Sequence, residues 1–121
     1  MGRVEFIEEF KKRTKTFALR VIKLYQALPK KGECQIIGKQ LIRSCTSVAA
    51  NYRAACRARS NAEFVSKMGI VVEEADETVF WIELLIEGNL MTKEKTENLL
   101  REANEILSIV SSASKSARRK V

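Results

Sequence analysis

The most informative stretch of this sequence is residues 60–89, which read SNAEFVSKMGIVVEEADETVFWIELLIEGN. Ser60, followed three residues later by Glu63, forms a capping box, an arrangement that begins many α-helices. Gly88 and Asn89 then provide a C-terminal stop. Between these signals, apolar residues recur every three or four positions, as on the buried side of an amphipathic helix: Phe64, Met68, Val71, Ala75, Val79, Ile82 and Ile86. The stretch predicts one long helix that ends at Glu87.

Two helical segments precede this stretch. The first runs from about Val4 to Leu28 and ends at the turn-forming residues 29–32, with an apolar stripe of Phe6, Phe10, Phe17, Val21, Leu24 and Leu28. The second runs from about Glu33 to Arg57, with a stripe of Ile37, Leu41, Cys45, Val48, Tyr52 and Ala55. Both segments therefore have one side suited to burial.

A fourth helix follows, for which Thr92 is a suitable N-cap. Its stripe consists of Leu99, Leu100, Ala103, Ile106, Leu107 and Val110. From Ser111 onward the chain is rich in Ser and Ala and ends in basic residues, which predicts a fraying tail. We predict an all-α protein, an antiparallel up-down-up-down four-helix bundle over residues 1–114 with a basic tail over residues 115–121.

The composition excludes several classes of protein. Of the 121 residues, 45% are apolar and 31% are charged, which indicates one globular domain and excludes a disordered segment. Histidine is absent, which removes imidazole acid–base chemistry and the commonest metal ligand. We therefore expect no enzyme activity, catalytic residue, metal, cofactor or small-molecule substrate. No apolar run is long enough to span a membrane and no secretory signal is visible, so we expect a cytoplasmic protein.

Three cysteines follow one another at intervals of eleven residues, at Cys34, Cys45 and Cys56. Eleven residues make about three helical turns, which places the thiols on one face but about 16 Å apart along the axis. Because a disulfide needs Cα atoms within about 7 Å of each other, we predict free thiols that pack as small apolar groups in a reducing compartment.

Charge is distributed unevenly along the chain. Residues 1–60 carry 14 Lys and Arg against 4 Asp and Glu, a balance of +10, whereas residues 61–90 carry one Lys against seven acids, a balance of −6. On a helical projection, cations gather on the side of the second helix opposite its apolar stripe, at Lys39, Arg43, Arg53 and Arg57. Cations gather in the same way on the first helix, at Lys12, Arg20 and Lys23. These stripes predict contacts with RNA or DNA phosphates; the alternatives are a solvated face or contacts with the acids of a neighbouring subunit.

The end of the third helix is apolar on more than one side. Its main stripe already faces the bundle, whereas Phe80 and Leu84 point to nearly the opposite side with Trp81 beside them. Because a lone bundle cannot bury both sides, this patch predicts self-association, unless the fourth helix or the tail covers it. A basic half and an acidic helix in one subunit suit head-to-tail packing into a closed ring.

A second stretch, residues 41–53, reads LIRSCTSVAANYR and resembles the signature of the four-helix-bundle proteins encoded in 23S rRNA intervening sequences. The similarity continues through residues 60–64 and 73–78 and covers nearly the whole chain. The accessory variability proteins of diversity-generating retroelements are also similar. One position departs from the pattern, because many members have Glu where this chain has Ala54.

The resemblance implies a homopentameric barrel with a non-enzymatic, nucleic-acid-associated role. In the retroelement branch it implies a platform for a reverse transcriptase and RNA. Arg43 and Asn51 match the motif and are implied to be structural or intersubunit polar residues, so Asn51 joins Phe80, Trp81 and Leu84 as a predicted interface residue. We predict an oligomeric adaptor that binds RNA; the alternative is a protein-only module whose charged faces serve ring assembly or a protein partner.

Overall fold

A computed structural model describes residues 2–120, which form four long α-helices and, within that range, no β-strand. The helices are α1 (Arg3–Ala27), α2 (Gly32–Cys56), α3 (Asn61–Glu87) and α4 (Lys93–Arg118). Every predicted boundary except the last agrees with the structure to within one residue. The all-α four-helix bundle is therefore confirmed.

Local signals set the ends of the helices. Ser60 is the N-cap of α3, and its side-chain oxygen accepts a hydrogen bond from the backbone N–H of Glu63 at 3.1 Å. Thr92 is the N-cap of α4, but its side chain makes no capping bond. After α3, Gly88 has a φ of −83°, and Asn89, with a φ of 54°, is the residue that adopts the left-handed conformation. Asn tolerates this conformation better than most residues, so the stop after α3 depends on Asn89.

The C-terminal segment differs from the prediction. A fraying tail from Ser111 is wrong, since α4 continues to Arg118. Ser114 and Ala117 are only 3% and 6% exposed. The carbonyl of Ala117 accepts a hydrogen bond of 3.1 Å from Asn61 Nδ2 at the start of α3. The small residues of this segment pack against the bundle, while residue 121 of the predicted tail, like Met1, lies outside the described residues.

The buried side of each helix mostly follows its predicted stripe, and the differences include Phe6 and Leu85. Phe6, which the stripe of α1 includes, is 45% exposed. Leu85, which no predicted stripe includes, is fully buried at 0% exposure because α3 packs against both α2 and α4 and so buries a wide arc. The most deeply buried large side chains, each at most 1% exposed, are Val21, Leu41, Met68, Val71, Ile82, Leu85 and Val110.

The four helices do not pack equally closely. Helix α2 packs along α1 and α3, and α3 packs along α4, whereas α1 and α4 make the least extensive contact. Gly38 allows one of the close approaches, since a Cβ atom there would lie 2.6 Å from Cδ1 of Tyr25 and 2.7 Å from Cδ1 of Leu28. The bundle is therefore tightly closed around α2 and α3 and open between α1 and α4.

Candidate interaction surfaces

The outward side of α2 carries three cations that the bundle does not neutralise. Lys39, Arg53 and Arg57 are exposed, and within residues 2–120 none lies within ion-pair distance of a carboxylate. Between them, the hydroxyl of Thr46 donates to the carbonyl of Ile42 in its own helix at 2.7 Å. We call Lys39, Arg53 and Arg57 the α2 basic surface.

Arg43, the fourth cation predicted for this surface, is instead held by α3. Its Nη1 donates to Oε1 of Glu74 at 3.2 Å, and its Nη2 donates to Oε1 of Glu77 at 2.8 Å. The hydrogen bond to Glu74, together with the charges of both carboxylates, raises the pKa of Arg43. Arg43 therefore ties α2 to α3, and Glu74 and Glu77 of α3 serve this contact inside the chain.

A groove of about 550 Å³ runs between α1 and α4, where these helices touch least. Two buried side chains of α1, Phe10 and Phe17, form its apolar floor. Its remaining lining consists of one exposed aromatic ring and six polar residues: Phe6, Glu9, Lys12, Arg13, Thr16, Arg20 and Glu102. We call it the α1–α4 groove; its charged rim above an apolar floor is suited to a partner that is itself part apolar and part charged.

Beside the groove, Arg13 of α1 forms ion pairs with two carboxylates of α4, and we call this contact the Arg13 clamp. The guanidinium donates from Nε to Oε2 of Glu102 and from Nη2 to Oε1 of Glu102, both at 2.7 Å, and Nη2 lies 2.8 Å from Oε1 of Glu105. These hydrogen bonds, that to Glu102 first, raise the pKa of Arg13. Sequence reasoning misses this clamp because no periodicity within one helix signals a pair 89 residues apart.

The two predicted basic stripes do not line a common groove. Lys12 and Arg20 border the α1–α4 groove, where no cation of α2 is found. The Nη2 atom of Arg20 also donates to Oδ1 of Asn98 on α4 at 3.0 Å. Lys23 is exposed on α1 outside the groove lining. The cations of α1 and those of α2 therefore form separate candidate sites.

The outer face of α3 combines exposed apolar side chains with acids. Ile70 is 41% exposed and Phe80 is 49% exposed. Glu73 and Asp76 lie between them and are exposed, and Glu83 is half-buried one turn after Phe80. We call Ile70, Glu73, Asp76, Phe80 and Glu83 the α3 outer face; within residues 2–120 none of its acids forms an ion pair.

The other predicted interface residues are less accessible than Phe80. Trp81 packs against the core with its ring 5.0 Å from that of Phe80, and its Nε1 is buried without a hydrogen-bond partner. Leu84 is half-buried. Asn51 is half-buried too, and its Nδ2 donates to the backbone carbonyl of Ser47 at 3.0 Å. The exposed apolar part of the patch is therefore Phe80, and Ile70, ten residues earlier on the same helix, is a second exposed apolar residue that sequence reasoning leaves out.

The thiols lie among core side chains. Cys34 and Cys45 are buried and Cys56 is half-buried, and all three are free, as predicted. Burial raises the pKa of Cys45 to about 12 and also raises the pKa of Cys56. A thiol of raised pKa is protonated at neutral pH and is a weak nucleophile.

Residues 2–120 contain neither a cluster of metal ligands nor a helix suited to crossing a membrane. Within residues 2–120, no three His, Cys, Asp or Glu side chains are grouped so that they could hold a metal ion. None of the four helices in that range has the length and apolar character needed to cross a membrane.

The chain matches known proteins over most of its length. The family model described as 23S rRNA-intervening sequence protein matches residues 8–112, which run from α1 into α4. A solved structure of a protein with unknown function from the S23 ribosomal protein family of Bacteroides thetaiotaomicron VPI-5482 is 36% identical, with a TM-score of 0.81. That match covers 90% of this chain and 97% of the other. No curated protein matches the chain. The chain therefore belongs to the 23S rRNA-intervening sequence protein family.

Proposed function

We propose that this protein is a non-enzymatic, oligomeric adaptor that binds RNA through the α2 basic surface. The observation that carries this proposal is the exposure of Lys39 and Arg53 on α2 and of Arg57, its C-cap residue, where no ion pair within residues 2–120 neutralises them. Arginine donates two parallel hydrogen bonds to a phosphate, which makes such a surface suited to a nucleic-acid backbone. The rRNA in the name of the matched family supports RNA over other polyanions.

The dimensions of the surface favour an extended ligand. Lys39 and Arg57 are 18 residues apart, a distance of about 27 Å along the helix axis. A nucleic-acid strand rises about 3.4 Å per nucleotide in a duplex, so this span corresponds to about eight nucleotides. The only aromatic residue of α2, Tyr52, is buried and offers no platform on which a base could stack. We expect binding to depend on charge and shape and only weakly on base sequence.

We further propose that the active form is a homopentamer of antiparallel up-down-up-down bundles, as the family resemblance implies. The connections between helices span only four or five residues, which favours antiparallel neighbours. The half-exposed ring of Phe80 supports self-association. Raised thiol pKa values support a role without nucleophilic catalysis, and the free thiols support a reducing, cytoplasmic setting.

A double charge reversal tests the RNA proposal. The variant Arg53→Glu/Arg57→Glu and the wild type are titrated against a fluorescently labelled structured RNA at several salt concentrations. Wild-type affinity should fall steeply with salt, because each phosphate contact releases counterions. The variant should bind at least about tenfold more weakly, and its slope of log affinity against log salt should be shallower by about 2.

The matched control carries the same charge change on another helix. Lys93 and Lys95 are exposed in the first turn of α4, and Lys93→Glu/Lys95→Glu lowers the net charge by the same amount as the test variant. Circular dichroism should report a folded bundle for both variants. If Arg53→Glu/Arg57→Glu binds RNA as tightly as the wild type, RNA binding through α2 is wrong. A folded oligomer that ignores RNA at physiological salt would instead favour the protein-only module.

A further inference from the structure

We propose that the α1–α4 groove of one copy of this protein receives the α3 outer face of a second copy. This inference rests on the oligomeric part of the proposed function and names the two surfaces that join the subunits. Both surfaces are present once in every chain, and each has a shape and charge that the other complements.

The groove presents apolar surface that a lone subunit leaves in water. The ring of Phe6 stacks on that of Phe10, with centroids 5.9 Å apart and planes within 5° of parallel, yet Phe6 is 45% exposed. Phe10 and Phe17 line the floor of the same groove of about 550 Å³ but are only 3% and 4% exposed, so Phe6 supplies the apolar surface that a partner would cover. Exposed apolar surface of this kind gains free energy when a partner covers it.

The α3 outer face has the converse form, a convex ridge with an exposed aromatic ring. Phe80 is 49% exposed and Ile70 is 41% exposed, and neither is among the side chains packed against the core. They are ten residues apart, or about 15 Å along the helix axis, a length that fits within a groove lined by α1 from Phe6 to Arg20.

The charges flanking the two surfaces match in spacing. On α3, Phe80 stands between Asp76, four residues before it, and Glu83, three residues after it. On α1, Thr16 stands between Lys12, four residues before it, and Arg20, four residues after it, and all three line the groove. The two acids are separated by about 10 Å and the two cations by about 12 Å along their axes. With Phe80 seated over Thr16 and α3 parallel to α1, each carboxylate lies beside a cation and Ile70 lies over Phe6, ten residues before Thr16.

The groove lining favours a protein helix over RNA. Arg13 is already neutralised by Glu102 and Glu105, so Lys12 and Arg20 carry the charge that a ligand would meet. The carboxylate of Glu9, which forms no ion pair within residues 2–120, also lines the groove and would repel a phosphate backbone, whereas an acidic helix with separated charges avoids it. Lys12 and Arg20, predicted from sequence as nucleic-acid ligands, are therefore assigned to the contact between subunits.

The two surfaces also determine how copies assemble. Two acidic ridges, or two basic grooves, would place like charges opposite each other, so a symmetric dimer through either surface alone is disfavoured. A contact between different surfaces of identical chains is heterologous, and it leaves one groove and one ridge free at the ends of any open chain of copies. Closure into a ring brings the free groove and the free ridge together, so neither stays uncovered.

Reciprocal charge reversal tests this interface. The ridge variant is Asp76→Lys/Glu83→Lys, the groove variant is Lys12→Glu/Arg20→Glu, and the combined variant carries all four changes. Size-exclusion chromatography with light scattering at low salt measures the mass of each. The wild type should exceed the 13.7 kDa of one chain, both two-site variants should fall to that mass, and the combined variant should recover the wild-type mass.

Further variants separate this interface from the proposed RNA function. Phe80→Ser removes a half-exposed ring that lies 5.0 Å from that of Trp81 and, where circular dichroism reports a folded bundle, should also give single subunits. Arg53→Glu/Arg57→Glu should keep the wild-type mass while losing RNA. Ridge and groove variants that stay folded by circular dichroism and keep the wild-type mass would overturn the interface and leave the oligomer standing. A folded combined variant that fails to reassemble would also overturn it. A single-subunit wild type would end both the interface and the oligomer, while RNA titration would still test the α2 basic surface.

Discussion

The contact between α2 and α3 is closely packed, whereas the contact between α1 and α4 leaves an open groove. Leu41 of α2 and Ile82 of α3 are at most 1% exposed, and a buried hydrogen bond of 2.9 Å joins the hydroxyl of Thr78 to that of Ser44. Between α1 and α4, by contrast, the Arg13 clamp lies beside an open groove of about 550 Å³. A dry contact provides stability, whereas a contact that admits water leaves surface for another molecule.

The physical cause of this difference is side-chain size and polarity. Small residues at Ser44 and Ala75 are buried on α2 and α3, where they permit close approach. On the other side, Arg13 and Glu102 have long side chains that bridge a gap through their charged ends. We call the contact between α2 and α3 the closed side and the contact between α1 and α4 the open side. The free energy of unfolding should therefore respond strongly to changes on the closed side and weakly to changes on the open side.

The largest expected effect is truncation of a leucine on the closed side. Leu41→Ala should lower the free energy of unfolding by about 2–5 kcal/mol, because it removes buried methyl groups and leaves a cavity. Chemical denaturation measures this change. Leu19 on α1 is 57% exposed, so the matched truncation Leu19→Ala should change stability by about 0.5 kcal/mol or less. Equal costs at the two sites would mean that the burial of Leu41 does not stabilise the bundle.

The second-largest expected effect is a loss of stability at alkaline pH. The pKa of Cys45 is about 12 in the fold against an ordinary value of 9.0, so the folded state holds a proton that the unfolded chain loses above pH 9. Stability should be complete below pH 9 and fall by about 1.4 kcal/mol per pH unit between pH 9 and 12. Burial also raises the pKa of Tyr52, which adds to this slope at the highest pH.

Urea denaturation between pH 8 and pH 11 measures that slope. Cys45→Ala should make the slope shallower by about 1.4 kcal/mol per pH unit, which is the contribution of one proton. The Arg13 clamp should not contribute to the slope, because Arg13 stays charged over this pH range. An unchanged slope in Cys45→Ala would show that this thiol does not control the alkaline loss.

The sequence predicts the helices well because their signals are local. The Ser60 cap and the stripe of α3 each depend on residues a few positions apart, and both are confirmed. The prediction for the segment around Ser114 is wrong for a related reason, since Ser and Ala are common in flexible tails and also at tightly packed helix contacts. Composition alone does not separate these two cases, because only a neighbouring helix makes the difference.

The candidate sites are harder to predict because they depend on which helices touch. The cations predicted for one side of α2 are exposed, but Arg43 is not free for a ligand because α3 places two carboxylates beside it. The α1–α4 groove has no counterpart in the sequence, since its walls come from segments about 90 residues apart. Periodicity assigns a side chain to the outside of its own helix and cannot tell solvent from a neighbouring helix.

A smaller effect is expected from the buried hydroxyl pair between α2 and α3. Thr78→Val keeps the shape of the side chain but removes a donor that lies 2.9 Å from Ser44 Oγ and 2.8 Å from the carbonyl of Glu74. It should cost about 1–2 kcal/mol in chemical denaturation, because Ser44 loses a buried partner. Adding Ser44→Ala should cost less than the sum of the two single changes. Strict additivity would mean that the two hydroxyls do not interact.

The smallest effect should come from the clamp of the open side. Arg13→Met keeps the aliphatic length but removes the bonds to Glu102 and Glu105, and should cost about 1 kcal/mol or less. The side chains of Arg13 and Glu102 are 32% and 19% exposed, so salt should screen the pair and shrink the difference between variant and wild type. Lys15 is exposed on the same helix and makes no ion pair within residues 2–120, so Lys15→Met should leave stability unchanged. A loss of several kcal/mol in Arg13→Met that salt does not alter would contradict this expectation. The contact between α1 and α4 would then stabilise the bundle as strongly as the contact between α2 and α3. The groove would be a consequence of folding and not a surface left for a partner.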